Sequence, residues 1–385
     1  MELMVIRGGN LNKWDMRPFE YLNQNKNYKI SVIGSTHPRY NVESIKIKKI
    51  LLPRFGRLIE WMGYPSIILN YLINCNDYLF GLEKTIKTCD IVETADTTYP
   101  FTYQAVRSHP KVVCVCYENI PFFREKGVSG WQKRYVREHA AHFIAITEKA
   151  KSVLELEGVP KDKITVIPPG IDLDIFKPRE KPQSLMKKYD IKKTDITILF
   201  VGRLVYDKGI EDLIHAFKLL CNEHDNLKLL ILGRGALKNK IIKLIERYAI
   251  TDKVVFVGFL PYEETEKIYN LSDIVCTPSR ITKYWQEQFG FVFVEAMACG
   301  KPVVSTYAGA IPEVTGKNAL LVSPGNHLEL YNALNRLVLN PKLREQLAKK
   351  ALEFTRIRYD AKNIAKQRML LYNKLMNENN ALKKR

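Results

Sequence analysis

The chain has 385 residues, 46% of them hydrophobic and 26% charged, which is enough apolar content for two cores of ordinary domain size and excludes wholesale disorder. No basic start leads into an apolar run and a small-residue cleavage site, and no stretch of about 18 uninterrupted apolar residues occurs, so neither a secretory leader nor a membrane-spanning helix is expected. Sixty Lys and Arg against 41 Asp and Glu leave a formal charge of +19, which favours an anionic partner: nucleic acid, a membrane surface or a phosphorylated substrate.

Taken in chain order, apolar runs at Leu3–Ile6, Lys29–Ile33, Ile91–Val92, Val112–Cys116 and Phe143–Ile146 predict five short strands with helices between them. Gly8-Gly9 follows the first. Between Arg39 and Trp61 six basic residues alternate with Ile45, Ile47, Ile50, Leu51, Leu52, Phe55, Leu58 and Ile59. Such a mixture suits the interface of an anionic membrane, or a solvated helix face beside an ordinary core. The stretch Tyr64–Phe80 is apolar and rich in tyrosine but broken by asparagines. Cys75, Cys89, Cys114, Cys116, Cys221, Cys276 and Cys299 form no CxxC and no zinc spacing with His, which fits a reducing cytoplasm. Cys114 and Cys116, two apart, are expected on one face of a strand. His109, His139 and His142 are expected near the ligand-binding ends of the strands, although a lone histidine is more often structural.

Proline and charge mark Pro168–Gln183 as a linker. Beyond it strands and helices alternate: Ile196–Val201, a helix carrying Ile210, Leu213, Ile214, Phe217 and Leu220, Leu227–Leu232, a helix through Tyr248, Val254–Val257, a short helix at Tyr262–Asn270, Ile274–Thr277, Pro302–Ser305 and a helix at His327–Leu339. This alternation predicts parallel sheets covered on both faces, with ligands at the carboxyl ends of their strands. The expected divisions are 1–178, 179–355 and a terminal helix over 356–385 that returns to the first domain and ends in a basic tail.

Three segments carry candidate chemistry. Gly202-Arg203-Leu204-Val205-Tyr206-Asp207-Lys208-Gly209 leaves a strand and opens a helix. Its glycines allow close backbone approach, Arg203 can fork onto phosphate oxygens, and Lys208 is a mobile point charge. An ordinary loop with solvent-facing charges is the alternative. Gly233-Arg234-Gly235 lacks the third glycine of a dinucleotide fingerprint and reads as a tight turn. Finally, Glu287 and Glu295 flank an almost wholly apolar segment whose run Phe291–Cys299 predicts a short buried helix ended by Gly300. A carboxylate inside such a helix must find partners, so Glu295 is either a member of an ion pair or an acceptor for ligand hydroxyls.

Seven segments in order, namely 166–178, 201–217, 231–235, 254–261, 277–279, 287–306 and 309–314, resemble retaining glycosyltransferases of family 4. The resemblance implies the α/β GT-B fold, two Rossmann-like doubly wound domains facing a cleft. It implies a nucleotide-diphosphate sugar as donor, held without a separate cofactor or metal. Arg203 and Lys208 would bind the diphosphate and stabilise the charge that develops as the sugar leaves. Glu295 would take the ribose hydroxyls and Glu287 the sugar hydroxyls. Gly202, Gly233, Gly235 and the amides around Phe289 and Gly290 would line the donor, and Gly8 and Gly9 would approach its phosphates. The Asp-x-Asp at Asp172–Asp174 falls in the linker, as the metal-independent family mechanism allows.

This chain also departs from its relatives. Gln288 stands where a proline is usual, and Ala310 replaces the second glycine of a common pair. Many relatives carry His-Asp after the strand matching Val112–Cys116, where this chain has Tyr117-Glu118. Glu118 is therefore a candidate to orient hydroxyls or accept a proton, with a capping or ion-pair role as the alternative. The expected acceptor is a glycan or lipid-linked hydroxyl and the expected site of work the cytoplasm, peripheral to a membrane. A nucleotide-sugar epimerase of the same fold is the nearest competing class. Charge alone suggests a nucleic-acid binder, but the sequence carries no recognisable RNA or DNA motif, so no nucleic-acid partner is expected.

Overall fold

The computed structural model describes residues 1–61 and 74–382, with side chains up to 378. Most of the Tyr64–Phe80 stretch, Met62 and the last three residues of the basic tail lie outside that range. Two compact units are present, 1–171 with 359–385, and 172–358. The boundaries therefore fall before Asp172 and after Arg358, against 178 and 355 expected from the sequence.

The first unit is built on a seven-stranded sheet: β1 Glu2–Gly8, β2 Lys29–Ser35, β3 Lys48–Leu52, β4 Ile91–Ala95, β5 Val112–Cys116, β6 His142–Ala145 and β7 Ile164–Val166, in the order β3-β2-β1-β4-β5-β6-β7. Every pairing is parallel. Two of these strands were not expected. β3 takes part of the basic and apolar mixture as an edge strand, its residues only partly covered, and β7 has just three residues. All five residues of β5 are buried, as a parallel strand covered on both faces requires. Cys114 and Cys116 share one of its faces, their sulfurs 3.8 Å apart.

A buried ionic cluster joins this sheet to the helix Ala361–Leu382. Arg7 on β1 donates to Glu93 on β4 at 2.6 Å, and Arg368 and the Tyr372 hydroxyl of the helix donate to the same carboxylate. Both guanidinium groups lie over the Phe19 ring. Burial opposes ionisation of Glu93, yet Arg368 and Arg7 hold its pKa below the ordinary carboxylate value.

The second unit has six parallel strands, β8 Ile196–Val201, β9 Leu227–Leu232, β10 Val254–Gly258, β11 Ile274–Cys276, β12 Val303–Thr306 and β13 Ala319–Val322, in the order β10-β9-β8-β11-β12-β13. Its core gathers Ile198, Phe200, Leu213, Phe217, Leu229, Ile231 and Leu334 between sheet and helices. In both sheets the strand order reverses beside the first strand, between β1 and β4 and between β8 and β11. Doubly wound sheets bind ligands beyond the strand ends at that point. Among the described residues no helix is long and apolar enough to cross a membrane.

Candidate active site

In the second unit the reversal point brings the loop after β8 against the loop after β11. Gly202 follows β8, and a single turn at Tyr206–Lys208 leads through Gly209 into the helix Ile210–Cys221. The amide of Arg280, from the loop after β11, donates to the carbonyl of Asp207 at 2.8 Å. This closeness places Lys208 Nζ 2.6 Å from Glu287 Oε2, and Ser279 Oγ donates to the same oxygen at 3.1 Å. The indole of Trp285 covers Lys208 from another side, with Nζ 4.5 Å from the ring centroid.

Glu287 is buried and held by its backbone as well. Its carbonyl accepts from the Ala310 amide at 2.8 Å. Gly309 has φ +60, and a Cβ there would lie 2.1 Å from the same carbonyl oxygen, so no side chain fits. Ala310 is itself buried, and the close approach in this chain is made by Gly309.

The other glycine loop crosses the first. A Cβ on Gly233 would fall 1.9 Å from the carbonyl oxygen of Gly202, so the turn after β9 sits directly on the loop after β8. The Leu204 amide donates to the Arg234 carbonyl at 3.0 Å, and Gly235 backs onto Leu204. Arg203 points elsewhere: its side chain is 64% exposed and pairs with Asp207 at 3.2 Å. It is not hydrogen-bonded into the Lys208–Glu287 pair. Gly290, with φ +83, opens the helix Phe291–Ala298, and the buried Phe289 ring packs on Phe291.

Glu295 lies in that helix, 6% exposed. Tyr269 donates to Glu295 Oε2 at 2.7 Å, and Tyr262 also bonds to it. Of the two roles open to Glu295 in the sequence, the ion pair is not the one formed among the described residues. Tyrosine hydroxyls serve it instead. Burial pushes its pKa up to about 7, the two hydroxyls opposing that rise, so near neutrality the group exists in both forms.

In the first unit Gly8 ends β1 and Gly9 follows it at the reversal point, Gly8 packed under the Phe101 ring and Gly9 beside Arg54. Glu118 follows β5, and its Oε1 accepts from the Asn119 and Ile120 amides, each at 2.9 Å. Burial raises its pKa against those two bonds. Asp96, which sequence reasoning missed, stands after β4 with φ +48. It accepts from the Tyr117 amide at 3.0 Å, and burial, aided by the charge of Glu118, lifts its pKa to about 6. The acidic Asp172 spends Oδ1 on the Asp174 amide within its own turn.

The histidines do not gather at the reversal point. His142 begins β6, at the amino end of the sheet, and contacts Thr165 at 2.8 Å. His109 lies between the Cys89 carbonyl and the Lys111 amide. His139 stacks on Tyr135. Each has a packing role, and the expectation that they lie near the ligand end fails for His142 because it is the first residue of a strand parallel to its neighbours and so sits at the amino end.

Ser279, Trp285, Tyr262 and Tyr269 also went unassigned. Ser279 lies in the matched segment 277–279, which was the one signal available for it. Trp285 and Tyr262 come from turns and Tyr269 from a short helix, and only the fold brings them close.

A family model described as Glycosyl transferases group 1 matches residues 182–354, and one described as Glycosyltransferase Family 4 matches residues 26–175. An uncharacterized glycosyltransferase of Methanocaldococcus jannaschii is 32% identical over 60% of this chain and 59% of its own length. The lipopolysaccharide 1,2-N-acetylglucosaminetransferase of Salmonella typhimurium is 26% identical over 83% of this chain and 89% of its own. Among solved structures, HepE of Anabaena in complex with UDP superposes with a TM-score of 0.77 at 18% identity, covering 97% of this chain and 99% of that one; that likeness concerns the fold. One family model falls on each unit, and the chain belongs to Glycosyltransferase Family 4, the group 1 glycosyl transferases of GT-B fold.

Proposed function

We propose that this protein is a retaining, metal-independent glycosyltransferase that moves a sugar from a nucleotide-diphosphate sugar to an acceptor hydroxyl. The observation that carries the reading is the set Lys208, Glu287 and Ser279 at the reversal point of the second sheet, with the buried Glu295, held by the Tyr269 hydroxyl, in the helix beyond. A diphosphate placed over the loop 202–209 would accept from an N–H of Lys208 that is not spent on Glu287. Glu287 would accept from sugar hydroxyls as well. Arg203, exposed and paired with Asp207, has the reach to add a second cation. As the glycosidic bond to phosphate breaks, these cations offset the charge left on the diphosphate. The acceptor oxygen bonds to the same face of the sugar, and its proton passes to the departing phosphate oxygen. Glu295 would accept from the ribose hydroxyls. Glu118 and Asp96 are candidates for orienting the acceptor.

The relative from Salmonella acts, by its name, on lipopolysaccharide, which supports a glycan or lipid-linked acceptor here. Exposed Leu58 and Trp61, the latter 83% accessible, beside Arg57 support cytoplasmic work at an anionic membrane. A protein that stays wholly soluble in flotation with anionic liposomes would remove the membrane from the proposal.

Thermal stabilisation by UDP, GDP, ADP and their sugars, on wild type and Arg203→Ala, tests the donor reading. A nucleotide at about 100 times its dissociation constant stabilises by about 2.7 kcal/mol. A shift with one base, reduced in the variant, is expected; no shift with any nucleotide would refute it. Product analysis with the stabilising donor separates transfer from epimerisation.

A further inference from the structure

The loop 280–286 between β11 and Glu287 is a small closed structure of its own. Thr282 and Trp285 form an antiparallel bridge, with the Thr282 amide donating to the Trp285 carbonyl at 2.8 Å. The Tyr284 amide donates to Thr282 Oγ1. Arg280 anchors its base through a forked pair with Asp212, Nε to Oδ2 at 2.7 Å and the terminal nitrogen to Oδ1. The same guanidinium stacks 4.4 Å over the Tyr206 ring. Asp212 lies in the first turn of the helix that follows Lys208, and Tyr206 in the turn that contains it. The hairpin is thus bolted to the segment that carries the lysine. What it delivers there is the indole of Trp285, over the ammonium.

We infer that Trp285 is a positioning residue for Lys208, setting the ammonium in the direction a donor diphosphate needs before that ligand arrives; this rests on the donor-site reading above. A lysine side chain is long and loses much rotamer freedom when a ligand fixes it. Glu287 restrains the ammonium on one side and the indole on another, leaving the remaining N–H direction for a phosphate oxygen. Restraint supplied in advance lowers the ordering that binding must impose. An aromatic face suits this task because it attracts the cation without taking up a hydrogen bond directed at a single acceptor. A carboxylate in its place would compete with the phosphate.

The test is a double-mutant cycle on full-length protein, reading the affinity of UDP, GDP and ADP, with the corresponding nucleosides as controls. Trp285→Ala should weaken the bound diphosphate about threefold, the scale of a half-exposed cation–π contact, and leave the nucleoside unchanged. Trp285→Phe should restore most of the loss. Arg280→Ala, which frees the hairpin, should reproduce it. In a Lys208→Ala background the Trp285→Ala change should have no further effect, because the group it positions is gone. An equal loss in both backgrounds would overturn the inference, since Trp285 would then act on the nucleotide directly or on the fold. Wild-type affinity in Trp285→Ala would overturn it as well. If wild type binds none of the three nucleotides, the donor reading falls and the inference falls with it.

Discussion

Replacing Glu295 by glutamine removes an ionisable group from the helix 291–298 and leaves an oxygen able to accept from Tyr269. Burial holds the carboxyl pKa at about 7, against an ordinary value of 4.5. Because the folded-state value is the higher one, its contribution to stability is full below pH 4.5 and is lost as the pH rises through 7. The difference between the two values amounts to about 3 kcal/mol. The measurement is urea unfolding of wild type and Glu295→Gln at a series of pH values from acid to mildly alkaline. Wild type should lose stability relative to the variant by roughly that amount across the series, with the loss running from pH 4.5 to about 7 and levelling off above it. Other titrating groups, Asp96 and His142 among them, cancel in the difference. A difference between the two proteins that does not vary with pH would refute the argument and would mean that Glu295 is solvated or paired in a way the two tyrosines do not show.

Gly309→Ala should destabilise the protein by at least about 2 kcal/mol, since a left-handed backbone and a blocking carbonyl act together; a thermal midpoint unchanged from wild type would contradict this. Arg368→Met removes one of the two cations on Glu93 and should cost about 3–5 kcal/mol, as breaking a buried charge network does, read by chemical unfolding. Were the loss below 1 kcal/mol, the cluster would be reached by water.

The central strands of both sheets were legible because they are buried on both faces and so read as unbroken apolar runs, as in Ile196–Val201 and Val112–Cys116. β3 was not, because this edge strand is two lysines followed by partly exposed isoleucine and leucines and imitates an interfacial segment. β7 and β13 are too short, at three and four residues, to establish a period. For the site, a carboxylate in an apolar helix announced that Glu295 needs partners. Which partners could not be read, for Tyr269 stands 26 residues away in another helix. Likewise the Lys208–Glu287 contact spans 79 residues and exists only because β8 and β11 are neighbours in the sheet. Glycine-rich loops and carboxylates are visible in a sequence by type, whereas a tryptophan over a lysine depends on a hairpin whose anchor is an arginine with no distinguishing spacing.

The ionic cluster around Glu93 has a consequence for how the molecule is made. Arg7 and Glu93 leave the ribosome early, but Arg368 and Tyr372 follow only after the whole of the unit 172–358. At about 5–20 residues per second that interval is on the order of 10–40 s. Throughout it the first sheet must keep one face without its covering helix, with a buried carboxylate short of two of its donors. The second unit, whose chain is continuous, has all its strands in hand before the first is complete. The order of folding is thus set against the order of synthesis: the domain begun first is the one finished last.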